Sequence, residues 1–299
     1  MNALEDFLRP TQKQLFKRLC KKFKGKTLIS KGNFILVRGQ APVMLVAHLD
    51  TVHNESVCDI CKTADDNILM SPQGIGGDDR CGCYALVKIY ELSTVKPWLL
   101  FTCEEEVGGI GAQAFADCFA QNKLPAELAT LKCLVEIDRR GADDAVFYDC
   151  CNPAFEEYIE EKGFKTAQGS FSDISVIAPE LGIAAVNLSG GYYNAHRLNE
   201  YIVRSELEHT IERVIEIVAD STRVDFPRYE YNTGGYADDF YGYLDETIEV
   251  PNDLPVELHE IYEELRYVYT AEQLDEVRLQ YGNHVLWQLY CDEFGYFSR

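Results

Sequence analysis

Six short apolar runs of β type, separated by segments of helical period, constrain this chain more than any other feature. The runs are NFILVRG, PVMLVAHLD, PWLLFTC, KCLVEID, DAVFYDC and IAAVNLS. Several are apolar on both faces, as expected of strands covered on both sides by helices. Helical spacing recurs near residues 80–92, 109–122, 152–162 and 173–181, and a closing helix is expected from about residue 203. Strands alternating with helices predict an α/β three-layer sandwich with a mostly parallel central sheet flanked by helices. Near the start, Thr11 is placed to cap a helix whose Leu15, Phe16, Leu19 and Phe23 share one face, with its lysines and arginine solvated.

The chain has 299 residues and 46% hydrophobic content, enough for one substantial core. We expect an α/β domain over residues 1–224 and a different region over 225–299. The latter holds 17 Asp and Glu, four Arg, no Lys and eleven of the eighteen tyrosines. Its first part reads as an acidic, Tyr-rich loop. Its second reads as two or three amphipathic helices, with Leu258, Ile261, Leu265 and Val268 as one apolar stripe. A helical C-terminal extension packed on the core is the expectation; a partner-binding or self-association module is the alternative.

A net charge of −21 argues against nucleic-acid and anionic-membrane partners, whose surfaces would repel it. No leader and no run of roughly eighteen apolar residues is seen, so a soluble, cytoplasmic protein is expected. Eleven scattered cysteines suit a reducing compartment, and the Cys58/Cys61 pair lacks the second pair that a four-thiolate zinc site needs.

Polar residues that bind metals collect where the apolar runs end. PVMLVAHLDT ends in His48 and Asp50, GGDDRCG holds Asp78, Asp79 and Arg80, and PWLLFTCEEE ends in Glu104, Glu105 and Glu106. KCLVEID ends in Asp138, and His196 follows IAAVNLS within a few residues. Sheets of this class form their sites at the carboxyl ends of strands. Singly, each feature has a plain structural explanation: a satisfied histidine, a surface ion pair, a solvated acidic run. Together, so many carboxylates behind apolar strands would each cost several kcal/mol without cations. Two imidazoles and three carboxylates, His48, Asp78, Glu106, Asp138 and His196, suit two divalent ions about 3.5–4 Å apart. Zinc fits best, with cobalt or manganese allowed.

HLDT, GGDDRCG, CEEEVGG, VEIDRRG and NAHRLNE, in this order over residues 40–205, resemble the five metal-site motifs of the dinuclear zinc exopeptidases. The resemblance implies that His48 and Asp138 hold one metal and Glu106 and His196 the other, with Asp78 bridging. It implies that Asp50 orients His48 and that Glu105 is the general base. Arg80 would hold the turn or neighbouring carboxylates, and Tyr192, Tyr193 and Asn194 would either line the substrate pocket or pack structurally. Only 57 residues separate Asp138 from His196. That leaves no room for the inserted lid or dimerisation domain of the carboxypeptidase-like branch, so the chain is more similar to the single-domain aminopeptidase branch, with motifs also similar to those of peptidase T. The expected activity is therefore a metal-dependent aminopeptidase on short peptides. An N-acyl amino acid deacylase and a non-catalytic interaction protein on a peptidase fold are the alternatives.

Overall fold

The computed structural model describes residues 3–30, 32–53, 56–169, 171–233, 251, 253–255, 258–265, 271–287 and 289. The chain divides into two compact units, Met1–Gly235 and Tyr236–Arg299.

In the first unit an eight-stranded sheet has the order β1-β2-β6-β3-β7-β10-β8-β9. Its strands are β1 (Thr27–Ser30), β2 (Phe34–Val37), β3 (Val43–His48), β6 (Trp98–Thr102), β7 (Cys133–Arg139), β8 (Asp144–Val146), β9 (Lys165–Thr166) and β10 (Ala185–Ser189). The central strands β6, β3, β7 and β10 run parallel. The antiparallel pairings β1–β2, β2–β6 and β8–β10 flank them. A smaller antiparallel sheet, β11-β12-β5-β4, joins β4 (Cys61–Lys62), β5 (Ile68–Met70), β11 (Tyr192–Tyr193) and β12 (Tyr201–Val203).

The two-residue period of a strand sorts side chains into two cores. Val43, Leu45 and Ala47 of β3 enter one core, and Met44 and Val46 enter the other. The first core is covered by α1 (Glu5–Leu8), α2 (Gln12–Lys22), α3 (Gly77–Leu92), α5 (Pro153–Glu161) and α7 (Arg204–Ser221). The second is covered by α4 (Ile110–Ala120) and α6 (Asp173–Leu181). Thr11 caps α2 in a reciprocal capping box with Gln14, which satisfies two otherwise orphaned backbone donors. Phe226 and Tyr229, which follow α7, are also buried in the first core.

The second unit contains α8 (His259–Leu265) and α9 (Ala271–Tyr281). Leu254, Ile261, Tyr262, Leu265, Leu274 and Leu286 form its core, with Leu258 packed against it. Buried Arg278 pairs with Asp253 and Asp275. Val268 of the expected stripe, and residues 234–246 of the expected acidic loop, lie outside the described residues. Among the described residues, no helix is long and apolar enough to cross a membrane, and the cysteines are free, with Cys58 and Cys61 exposed.

Candidate metal centre

The carboxyl ends of the central strands deliver the site. β3 ends at His48, β6 leads into Glu105 and Glu106, and β7 carries Asp138. Asp78 sits in the first turn of α3, and His196 lies between β11 and β12. All five expected metal-binding residues and Glu105 thus converge from separate segments.

Asp78 stands at the centre. Its Oδ1 is 3.1 Å from His48 Nε2 and its Oδ2 is 3.2 Å from His196 Nε2. His48 Nε2 is also 3.5 Å from Asp138 Oδ1, and His196 Nε2 is 3.1 Å from Glu106 Oε2. Glu105 Oε2 lies 3.9 Å from His48 Nε2. Three groups bring one ligand atom per residue within 4.8 Å of one another: His48–Asp78–Asp138, Asp78–Glu106–His196 and His48–Glu105–Glu106. The first two share Asp78. The third shows that proximity alone does not separate Glu105 from Glu106.

Asp50 braces this arrangement. Its Oδ1 accepts from the Glu105 backbone N–H and its Oδ2 from that of Glu106, each at 3.1 Å. Its Oδ1 is also 3.4 Å from His48 Nδ1, within ion-pair range, although Nδ1 makes no aligned hydrogen bond. Burial opposes charge on Asp50, but His48 and the two amides outweigh it and lower its pKa.

The electrostatics describe a cluster crowded with negative charge. Burial pushes the Glu105 carboxyl up to about 9, with Asp138 adding to the effect and His48 opposing it. Burial and then Asp78 push Asp138 up to about 7. Burial acts against Asp78 too, yet the two imidazoles hold its carboxyl below the usual range. Hydrogen bonds to Asp78 and Glu106 push His196 up to about 11, and His48 is raised despite its burial, chiefly by Asp138. Without ions, imidazolium charge is what balances the carboxylates. Divalent cations would replace that balance once both imidazoles release their protons.

These residues fit such ions. Among the described residues, Glu106 Oε1 is buried with no hydrogen-bond partner, and the donors are imidazole nitrogens and carboxylate oxygens, the set that zinc accepts.

Several supporting residues carry no distinctive sequence signal. Glu200 is fully buried; its Oε2 accepts from Gly76 N–H at 2.9 Å and its Oε1 from Asp78 N–H at 3.0 Å. His53 Nε2 lies 3.0 Å from the same Oε2. Glu200 thus fixes the backbone that presents Asp78. Gly76 adopts φ +64°, open to glycine at little cost, and a Cβ on Gly82 would lie 2.2 Å from the Ile137 carbonyl oxygen. Asp79 accepts from the backbone N–H groups of His48 and Gly82, tying β3 to the start of α3. Asn187 accepts from the Asp138 N–H and donates to its carbonyl, and Tyr192 donates to Asp138 Oδ1.

Three expectations are refined. Among the described residues Arg80 bonds to no carboxylate: its Nη1 donates to the carbonyls of Phe7 and Pro10 at 2.9 and 2.8 Å, anchoring the turn between α1 and α2. Tyr193 stacks on Tyr201 and donates to Glu206, a packing role. Glu104, which had no expected task, accepts from Gln12.

No protein-family model and no curated protein matches the chain. Solved structures do. The aminopeptidase PepT from Bacillus cereus is 16% identical, with a TM-score of 0.54 over 74% of this chain and 97% of that one. A tripeptidase from Staphylococcus aureus is 14% identical, with a TM-score of 0.56 and the same coverage, 74% and 97%. The TET1 peptidase of Pyrococcus horikoshii, which can assemble into a tetrahedron or a large octahedral shell, is 13% identical, with a TM-score of 0.51 over 72% and 98%. The chain therefore has the fold of the metal-dependent zinc aminopeptidases and carries groups of His, Asp and Glu that could hold metal.

Proposed function

We propose that the protein is a dinuclear metal-dependent aminopeptidase that hydrolyses short peptides. The observation that carries this reading is the position of Asp78, with one carboxylate oxygen toward each imidazole. A carboxylate so placed suits the bridging position between two ions, His48 and Asp138 completing one side and His196 and Glu106 the other. Two divalent ions held there would acidify a water and polarise the scissile carbonyl.

The remaining chemistry belongs to the chain. Glu105 is the base: its Oε2 reaches the edge of the cluster without sharing an imidazole as closely as Asp78 does. As water attacks the carbonyl, the proton passes to Glu105 and then to the leaving amine. Its raised pKa shows that burial disfavours the anion, so nearby cations are what would keep it ionised and ready to accept. Asp50 keeps Glu105 and Glu106 in place through their amides, and holds His48 in orientation. The acidic surface favours a substrate with a free α-ammonium group.

The test is hydrolysis of a panel of free-amino dipeptides and tripeptides beside their N-acetylated counterparts, with zinc, cobalt or manganese supplied. Cleavage of the free-amino series alone is expected. Cleavage confined to the acetylated series would make the protein a deacylase, and no cleavage of either by fully loaded protein would overturn the reading.

A further inference from the structure

The turn that follows the candidate base carries an exposed apolar patch. The backbone N–H groups of Gly108 and Gly109 both donate to the Glu105 carbonyl, at 3.0 and 2.9 Å, and the Ile110 N–H donates to the Glu104 carbonyl at 3.1 Å. The chain therefore reverses tightly after Glu105 and Glu106 and enters α4 at Ile110. Phe171, two residues before α6, closes on this turn. A Cβ added to Gly109 would lie 2.8 Å from the Phe171 Cζ, so the ring rests where only glycine leaves room. Val107, Ile110 and Phe171 are nonetheless 64%, 46% and 46% exposed.

Exposed apolar residues scattered singly need no explanation. Here three gather around one glycine, in the turn tied to Glu105, and such a patch marks a surface that a ligand covers. Which part of a ligand covers it is set by Glu105. The base hands its proton to the leaving amine as the C–N bond breaks, so that nitrogen, and the residue that carries it, lie on the Glu105 side of the scissile bond. Two hydrogen bonds hold the turn against the Glu105 carbonyl. The leaving residue, and not the residue that supplies the scissile carbonyl, is thus the one beside the patch.

We propose that Val107, Ile110 and Phe171 form the contact surface for the side chain that follows the scissile bond, and that the protein selects peptides apolar at that second position. This selectivity rests on the hydrolytic role given to Glu105 above and adds the class of substrate.

The test compares alanyl-leucine with alanyl-serine, which differ at the second position, and leucyl-alanine with seryl-alanine, which differ at the first. With the zinc-loaded full chain, kcat/KM should favour alanyl-leucine over alanyl-serine by roughly tenfold, the low end of what apolar contacts discriminate, because the patch is open to solvent. Phe171→Ser should bring that ratio toward one and leave the first-position ratio as it was; Val107→Ser decides if Phe171→Ser fails to fold. Calorimetric binding of the same dipeptides to the zinc-loaded Glu105→Gln chain reads the patch without turnover. If the native chain cleaves nothing, yet alanyl-leucine binds more tightly than alanyl-serine and Phe171→Ser removes the difference, the hydrolytic reading falls and the patch assignment stands. Equal cleavage of alanyl-leucine and alanyl-serine, or an effect of Phe171→Ser on the first-position ratio alone, overturns the assignment and leaves the hydrolytic reading intact. A dimer that Phe171→Ser dissociates in sedimentation, with the second-position ratio unchanged, would make the patch a contact between copies of the chain and overturn the assignment as well. Neither binding nor cleavage of any of the four overturns both.

Discussion

Asp78 Oδ2 lies 3.2 Å from His196 Nε2 although the two residues come from different ends of the domain, one opening α3 and the other between two short strands. With Oδ1 3.1 Å from His48, Asp78 belongs to both halves of the cluster. Asp78→Ala should therefore lower occupancy of both metal sites, whereas Asp138→Ala should lower one. Metal content per chain after dialysis against a weak chelator distinguishes the two; equal partial loss in both variants would remove Asp78 from its central role.

Glu105 and Glu106 are adjacent, yet only Glu106 approaches His196 closely, at 3.1 Å. Glu105→Gln should retain both metals and lose turnover by roughly 100- to 10,000-fold, the range for losing a general base. Glu106→Gln should release metal from one site. Equal metal loss in the two variants would show the neighbours to be assigned the wrong way round.

Glu200 touches no reacting group and acts by holding the Gly76 and Asp78 amides. Glu200→Ala leaves two buried N–H groups unsatisfied and should cost about 2–6 kcal/mol of stability, at about 1–3 kcal/mol per buried donor. It should also weaken metal binding. Glu200→Gln, which keeps one acceptor, should fall between the two, and chemical denaturation with and without zinc measures both effects.

Asp173 is fully buried beneath the site, where Thr102 donates to its Oδ2 and its Oδ1 has no partner among the described residues. Burial raises its pKa from 3.8 to about 6, with His48 and Thr102 opposing. A carboxyl whose folded pKa is raised causes no penalty below the unfolded value; the penalty grows as pH rises between the two values and is complete above the folded one. Asp173→Asn should therefore stabilise the metal-free protein at pH 8 relative to pH 4, by roughly 2–3 kcal/mol for a shift of this size. Denaturant titrations at the two pH values check the sign.

Much of the fold is legible in the sequence because the central strands are long enough to show their pattern. β3, β6, β7 and β10 are buried on both faces nearly throughout, and each appears as an apolar run. β4 and β9 are two residues long and exposed, so no hydrophobic period exists to read. The candidate metal-binding residue types are legible for a related reason: His48 and Asp138 end apolar runs, where an unpaired polar group is costly. Their supports are not. Glu200 meets the Asp78 amide from 122 residues away, and Arg80 is held by the carbonyls of Phe7 and Pro10. Backbone groups are present at every residue, so a partner made of them leaves no mark on composition or spacing.

The central claim is that Asp78 stands between two ions. Anomalous diffraction at the zinc edge from crystals grown with zinc tests it most directly. Two peaks about 3.5–4 Å apart, one on each side of the Asp78 carboxylate, with His48 and Asp138 at one and His196 and Glu106 at the other, are the predicted result. A single peak, or peaks that do not share Asp78, would contradict it.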